Sequence, residues 1–183
     1  MTLPNFAITG EMRSGKDAVA EYMARKFGYT RFAFGDELKR DFHRRYPEVP
    51  REPKPRAGYQ FHGQFMREQI DEDIWVNRCL AEIARTSHNY AGFTFRAVIS
   101  DLRQPNEFQA CKLQGFVIIR VTAPEALRID RAIKSGDTFN LRDLTHDTES
   151  HARRFDVDYE IVNDGTLAEL YAKVDEVVRN VSA

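Results

Sequence analysis

The stretch ITGEMRSGKDAVAEYM, residues 8–23, decides how the rest of the chain is read. Its centre, Gly10-Glu11-Met12-Arg13-Ser14-Gly15-Lys16, has the spacing of a phosphate-binding loop. An apolar run, FAIT at 6–9, precedes it. A helical pattern follows, in which Val19, Met23 and Phe27 recur until Gly28 supplies a stop. Glycines let the backbone curl so that successive N–H groups point at phosphate oxygens, and the helix N-terminus adds partial positive charge. Gly10, Arg13, Ser14, Gly15 and Lys16 are therefore expected to cradle a nucleoside triphosphate, with Lys16 reaching the β- and γ-phosphates. The next position should offer a hydroxyl to Mg²⁺, and here it is Asp17. A carboxylate there serves that hard cation directly or through its waters. The plainer alternative is that it caps the helix start, where negative charge is favourable.

Working outward, the 183 residues suit one domain able to bury a substantial core. The chain is 42% hydrophobic and 30% charged, with a mean hydropathy of −0.54, ordinary values for a soluble globular protein. A net charge of −1 supplies no global field for a nucleic acid polymer or an anionic membrane, so any anion site arises from local arrangement. Arginine far outnumbers lysine, which suits phosphate recognition by a planar fork and equally suits codon bias. Cys79 and Cys111 form neither a metal-ligand spacing nor a disulfide framework. With no signal-like N-terminus and no membrane-length apolar run, the expected location is the cytoplasm, or the host cytoplasm for a viral gene.

Strand-like runs occur at 6–9, 31–34, 95–100, 116–121 and 159–162, each rich in β-branched or aromatic residues. Helical patterns lie between them, and the last, with Leu167, Leu170, Val174, Val178 and Val181 in one stripe, closes the chain. Alternating strands and helices predict a parallel sheet flanked by helices. The proline-rich segment 48–59 reads as a loop, and the following segment to about residue 90 as two helices broken near Asp71-Glu72-Asp73. Residues 135–150 are polar and poorly periodic.

The blocks GEMRSGKD, RFAFGDELKR, DEDIWV and VISDLRQPNE together resemble the phage and bacterial deoxynucleoside monophosphate kinases of the P-loop kinase superfamily. Animal-type phosphomevalonate kinases share the SGKD variant, and dephospho-CoA kinases share the general layout. The resemblance runs from the loop to about Val121, and DYEIVNDGTLAEL extends it. It implies an α/β three-layer domain, adenylate kinase-like, with five parallel strands in the order 2-3-1-4-5. It also implies a helical acceptor-binding region at about 48–90, a lid at about 125–150, and γ-phosphoryl transfer from ATP with Mg²⁺. Asn163 and Gly165, in the NDG turn, resemble the turn that meets adenine, although a bare tripeptide of this kind signals only a turn.

Further candidates follow from position. Asp101 ends the apolar run FRAVIS, the layout of a carboxylate that reaches Mg²⁺ through water, and Arg103 two residues on is placed to hold an acceptor phosphate. A surface Asp–Arg turn is the bland alternative. Asp36 follows Gly35 at the carboxyl edge, where it suits a base, a metal ligand, a sugar contact or a helix cap. Arg67 is the acceptor-phosphate clamp of the helical region, where Phe65 and Trp75 suit either base stacking or the core. Arg128 and Arg131, three apart on one helix face, resemble lid arginines that neutralise the transferring group, with Arg142 a weaker candidate; a solvated amphipathic helix is the alternative.

A phosphate acceptor is already ionised near neutral pH and needs cationic clamps, whereas a hydroxyl acceptor must lose a proton to a placed base. Arg67 and Arg103 serve the first and Asp36 the second. The arginine supply and the family blocks favour ATP-dependent phosphorylation of a (deoxy)nucleoside monophosphate to the diphosphate, by a monomer or homodimer. The alternatives are a kinase for another small acceptor, of dephospho-CoA or phosphomevalonate type, and a non-catalytic nucleotide-responsive module.

Overall fold

A computed structural model describes residues 3–90, 94–135 and 147–182. Five strands, β1 (Phe6–Thr9), β2 (Thr30–Phe32), β3 (Ala97–Leu102), β4 (Val117–Thr122) and β5 (Tyr159–Val162), form one sheet. Every pairing in it is parallel and the order is β2-β3-β1-β4-β5, as the resemblance implies. Central β1 pairs Phe6 with both Val98 and Val117, so it is covered on both edges. All four β1 residues are buried, which is why this strand is apolar throughout rather than alternating.

Side-chain alternation along β1 divides the core into two layers. Phe6 and Ile8 pack with Val19 and Met23 of α1 (Lys16–Phe27) and with Leu170, Val174 and Val178 of α8 (Leu167–Asn180). Ala7 faces the opposite way, among Ile99, Ile118, Val76, Cys79 and Ile83, the last three from α4 (Ile74–Asn89). Each fully buried large aliphatic side chain contributes about 1.5–3 kcal/mol. Gly28 ends α1 in a left-handed conformation with its N–H turned back to Ala24 and Met23 carbonyls. Thr166 starts α8 through a reciprocal box with Glu169.

Several boundaries differ from the sequence reading. Phe34, expected at the end of β2, is the first residue of α2 (Phe34–Arg45), because the FGD turn begins a helix at once. β3 runs two residues later than expected, which puts Asp101 inside the strand. The proline-rich loop ends early, since α3 (Arg56–Gln69) starts within it once the prolines are passed. The break between α3 and α4 falls at 70–73, as expected. Leu167 leaves the apolar stripe of α8 and is 58% exposed.

The helical insertion hangs on Asp41 of α2, which is buried and accepts hydrogen bonds from Arg44 at 2.5 Å and Arg45 at 2.8 Å. Arg78 of α4, at 2.8 Å, and His62 of α3, at 2.9 Å, complete the cluster and join three helices through one carboxylate. Trp75 is 2% exposed with its indole N–H directed to the Gly63 carbonyl at 3.2 Å, so it belongs to the core rather than to a base-stacking surface. Phe65 lies on the outside of α3, 48% exposed and stacked on Phe61. Two short helices, α5 (Pro105–Leu113) and α6 (Glu125–Lys134), follow β3 and β4, and α7 (Asp147–Arg154) precedes β5. Arg142, His146 and the centre of the expected lid lie outside the described residues. Among the described residues, no helix is long and apolar enough to cross a membrane.

Candidate nucleotide site

The loop between β1 and α1 turns through three residues of positive φ, Gly10 at 136°, Arg13 at 62° and Gly15 at 110°. Gly10 has a steric reason as well as a conformational one. A Cβ there would lie 2.1 Å from the Val121 carbonyl oxygen of β4. Gly10→Ala is therefore expected to destabilise the protein by about 2–4 kcal/mol and to abolish nucleotide binding, both readable from thermal melts with and without MgATP.

The loop is braced from three directions. Lys16 folds its Nζ onto the Gly10 and Glu11 carbonyls, at 2.7 and 2.6 Å. Asn163, just past β5, donates its side-chain amide to the Ser14 carbonyl at 2.8 Å, and its own N–H is held by Thr122 at 2.7 Å. The third brace is α6, from which Arg128 directs Nη1 to the Met12 carbonyl at 3.4 Å. Arg131 directs Nη1 to the Arg13 carbonyl and Nη2 to Asn163, all at 3.3 Å. Beside the loop opens a cavity of about 340 Å³ lined by Gly15, Ala18, Arg131, Asn163, Gly165 and Leu167. The position of Leu167 at this mouth accounts for its exposure. The expected ATP-side residues Gly10, Arg13, Ser14, Gly15, Lys16, Asn163 and Gly165 thus come together with Arg128 and Arg131.

Asp17 sits in the first turn of α1 with its side chain 78% exposed, 4.0 Å from Arg31 of β2. The same guanidinium reaches Asp36 at 3.2 Å, and Asp36 also accepts from Lys39 at 2.9 Å. Arg31 is therefore a shared counter-ion for two carboxylates that the sequence reading treated separately. Asp101 is differently placed. Its Oδ1 accepts the Phe34 N–H at 2.8 Å and its Oδ2 the Gly35 N–H at 2.9 Å, so it fastens the start of α2 to the sheet. Burial raises its pKa, against the pull of those two amides.

Next to Asp101 lies Glu107, a residue that sequence reasoning missed. Its Oε2 accepts the N–H groups of Arg103 and Gln104, at 2.8 and 2.9 Å, which closes the turn into α5. Burial pushes its carboxyl up to about 7, the Asp101 charge adds to this, and the two amides and Arg67 oppose it. The positive charge of Arg67, from α3, thus acts on Glu107, and that of Arg103, from the β3–α5 turn, acts on Asp101. Burial lowers the Arg67 pKa, and Glu107 opposes that shift. The acceptor-side candidates Arg67 and Arg103 each neighbour one of these two carboxylates, whereas Asp36 pairs with Arg31 and Lys39, and its charge also acts on Asp101.

Glu11, Arg31 and Arg153 were also missed. Arg153 of α7 donates to Glu11, and Arg128 lies 3.0 Å from the same carboxylate. A carboxylate inside a loop with phosphate-loop spacing is legible in sequence as an oddity, but its partners are remote and are not.

This architecture is the P-loop kinase fold. No family model matches the sequence, and no curated protein sequence matches it either. Solved structures do match along nearly the whole chain. A shikimate kinase from Acinetobacter baumannii, in complex with shikimate, has a TM-score of 0.56 at 17% identity, over 98% of this chain and 94% of the other. A gluconokinase from Sinorhizobium meliloti has a TM-score of 0.53 at 17% identity, over 100% and 98%. A tunicamycin resistance protein from Deinococcus radiodurans has a TM-score of 0.58 at 16% identity, over 96% and 95%.

Proposed function

We propose that the protein is an ATP-dependent phosphotransferase whose acceptor is a nucleoside monophosphate, with a deoxynucleotide favoured by the resemblance of its sequence blocks. The observation that carries the reading is the convergence of Lys16, Arg128 and Arg131 on one glycine-turned loop beside a cavity of about 340 Å³. Buried polar atoms without a partner at the same place, Ser14 Oγ and Arg128 Nε, suit a triphosphate, whose oxygens would accept from both. Lys16, Arg128 and Arg131 would stabilise charge on the moving phosphoryl group.

A magnesium ion bound with the nucleotide would neutralise charge on the transferring phosphates. Asp17, exposed at the loop's exit, fits as its protein oxygen. Asp101, with both oxygens engaged by amides, fits as a more distant contact through water. The described residues contain no cluster of three or more metal-ligating side chains, and magnesium held largely by phosphates and water needs none.

Arg67 and Arg103 would clamp the acceptor phosphate. Arg67→Met is expected to raise the KM for the monophosphate at least about tenfold while leaving the KM for ATP within about twofold, read from steady-state ADP release. A second reading has support of its own. Two similar structures carry the names of shikimate and gluconate kinases, and phosphorylation of a hydroxyl gives the exposed Asp36 carboxylate work as a base. The deciding measurement is ADP release from MgATP with a panel of ribo- and deoxynucleoside monophosphates beside shikimate, gluconate, dephospho-CoA and phosphomevalonate. Stimulation by a monophosphate supports the proposal, stimulation only by a non-nucleotide replaces it with the second reading, and ADP release indifferent to every acceptor leaves a nucleotide-responsive module.

A further inference from the structure

Glu11 stands at the second position of the phosphate loop, where its charge opposes the polyanion that the loop suits. It is nevertheless only 8% exposed, and its partners explain how a carboxylate persists there. Its Oε1 lies 3.0 Å from Arg128 Nη2 and accepts Arg153 Nε at 2.9 Å and also Arg153 Nη2. The two guanidiniums come from separate helices, α6 and α7, and meet on one oxygen atom. The Arg128 side chain is 2% exposed, with its Nη1 turned to the Met12 carbonyl. One carboxylate therefore fixes two long cationic side chains against the loop.

We infer that Glu11 is a positioning residue for phosphoryl transfer: it holds Arg128 and Arg153 at the phosphate loop before nucleotide arrives, and it weakens nucleotide binding in doing so. The inference rests on the nucleotide reading proposed above. Arginines already in place lose no rotamer freedom on the way to the transition state, so their placement acts on kcat. The carboxylate's repulsion of phosphate acts on bound substrate and transition state alike, so it acts on affinity. The two effects have opposite signs, and that separates positioning from a merely structural role.

The test is Glu11→Gln, which keeps the shape and removes the charge. MgATP binding is measured by calorimetry, and turnover with the acceptor that gives most ADP release in the panel. The dissociation constant for MgATP is expected to fall about three- to tenfold while kcat falls at least about tenfold. Arg153→Gln should lower kcat similarly, and the double variant should fall no further than Glu11→Gln alone, as partners in one contact do. Weaker MgATP binding in Glu11→Gln, an unchanged kcat, or losses that multiply in the double variant would each overturn the inference. Should Glu11→Gln fail to fold, Arg153→Gln decides, because its side chain is 62% exposed and its loss leaves the core alone: a tenfold drop in kcat supports positioning and an unchanged kcat overturns it. A parent protein that takes up no MgATP would sink the nucleotide reading itself. A parent that binds and turns over, beside an indistinguishable Glu11→Gln, would sink only this inference.

Discussion

Lys16→Ala should abolish phosphoryl transfer, with kcat lower by about a thousandfold or more, while the protein still folds. The side chain makes its visible contacts with the loop's own carbonyls, Gly10 and Glu11, and takes no part in either apolar layer. Its loss therefore costs the fold only about 1–2 kcal/mol of charge-assisted hydrogen bonding. For the proposed reaction the ammonium would be harder to replace, because it would meet charge that develops on the β- and γ-phosphates. The measurements are ADP release with the best acceptor and a thermal melt on the same sample. Near-normal turnover in the variant would remove the loop from the mechanism, and a collapse of the melt would show that Lys16 is structural.

The second large effect lies away from that loop. Asp41→Asn should destabilise the protein by about 3 kcal/mol at pH 7, since the buried Asp41 carboxylate accepts charge-assisted hydrogen bonds from His62 and from three arginines whose side chains reach solvent. For a chain of this size that is a fall in Tm of about 6–12 °C. Burial alone would raise the Asp41 pKa, but hydrogen bonds from Arg78, Arg45 and His62 outweigh it and hold the carboxyl well below the usual range. A depressed folded-state pKa means that the stabilisation is complete above the unfolded value, near 4, and is lost as pH falls below it. The gap between parent and variant in urea midpoint should accordingly be widest at pH 7, smaller at pH 3, where the loss has begun, and smaller still as pH falls further. Glu107 has the opposite sign. Its carboxyl is raised to about 7 by burial, so its contribution is full below the unfolded value and is lost as pH rises through 7. An equal gap for Asp41→Asn at both pH values would show that its charge does not hold the three helices together.

Much of the candidate site was legible because it is local in sequence. Gly10 to Lys16 announce a turn, a cation and a helix start within seven residues, and the turn needs the glycines at the positive φ values that the structure shows. Arg128 and Arg131 were legible as a pair because residues three apart share a helix face. Asp101 was legible as a carboxylate after an apolar run, but the use of both its oxygens was not, since Phe34 and Gly35 reach it from 67 and 66 residues away. Glu107 and Arg153 escaped notice for the same reason. Glu107 bonds the N–H groups of its own turn, which marks only a cap, and its charged neighbour Arg67, like the Glu11 partner of Arg153, is set by the fold.

By itself, the sequence determined the alternation of buried strands and amphipathic helices, the parallel sheet, the glycine turn between β1 and α1, and the break between α3 and α4. Each of these follows from hydrophobic period, turn chemistry or glycine conformation acting over a dozen residues or fewer. Only the tertiary structure decided that Trp75 is core, that Asp17 and Asp36 share Arg31, that Asp41 ties three helices, and that Glu11 draws in two arginines. Those are pairings of charge and burial between remote segments, and a charge finds its counter-ion only after the apolar layers have fixed which segments lie side by side.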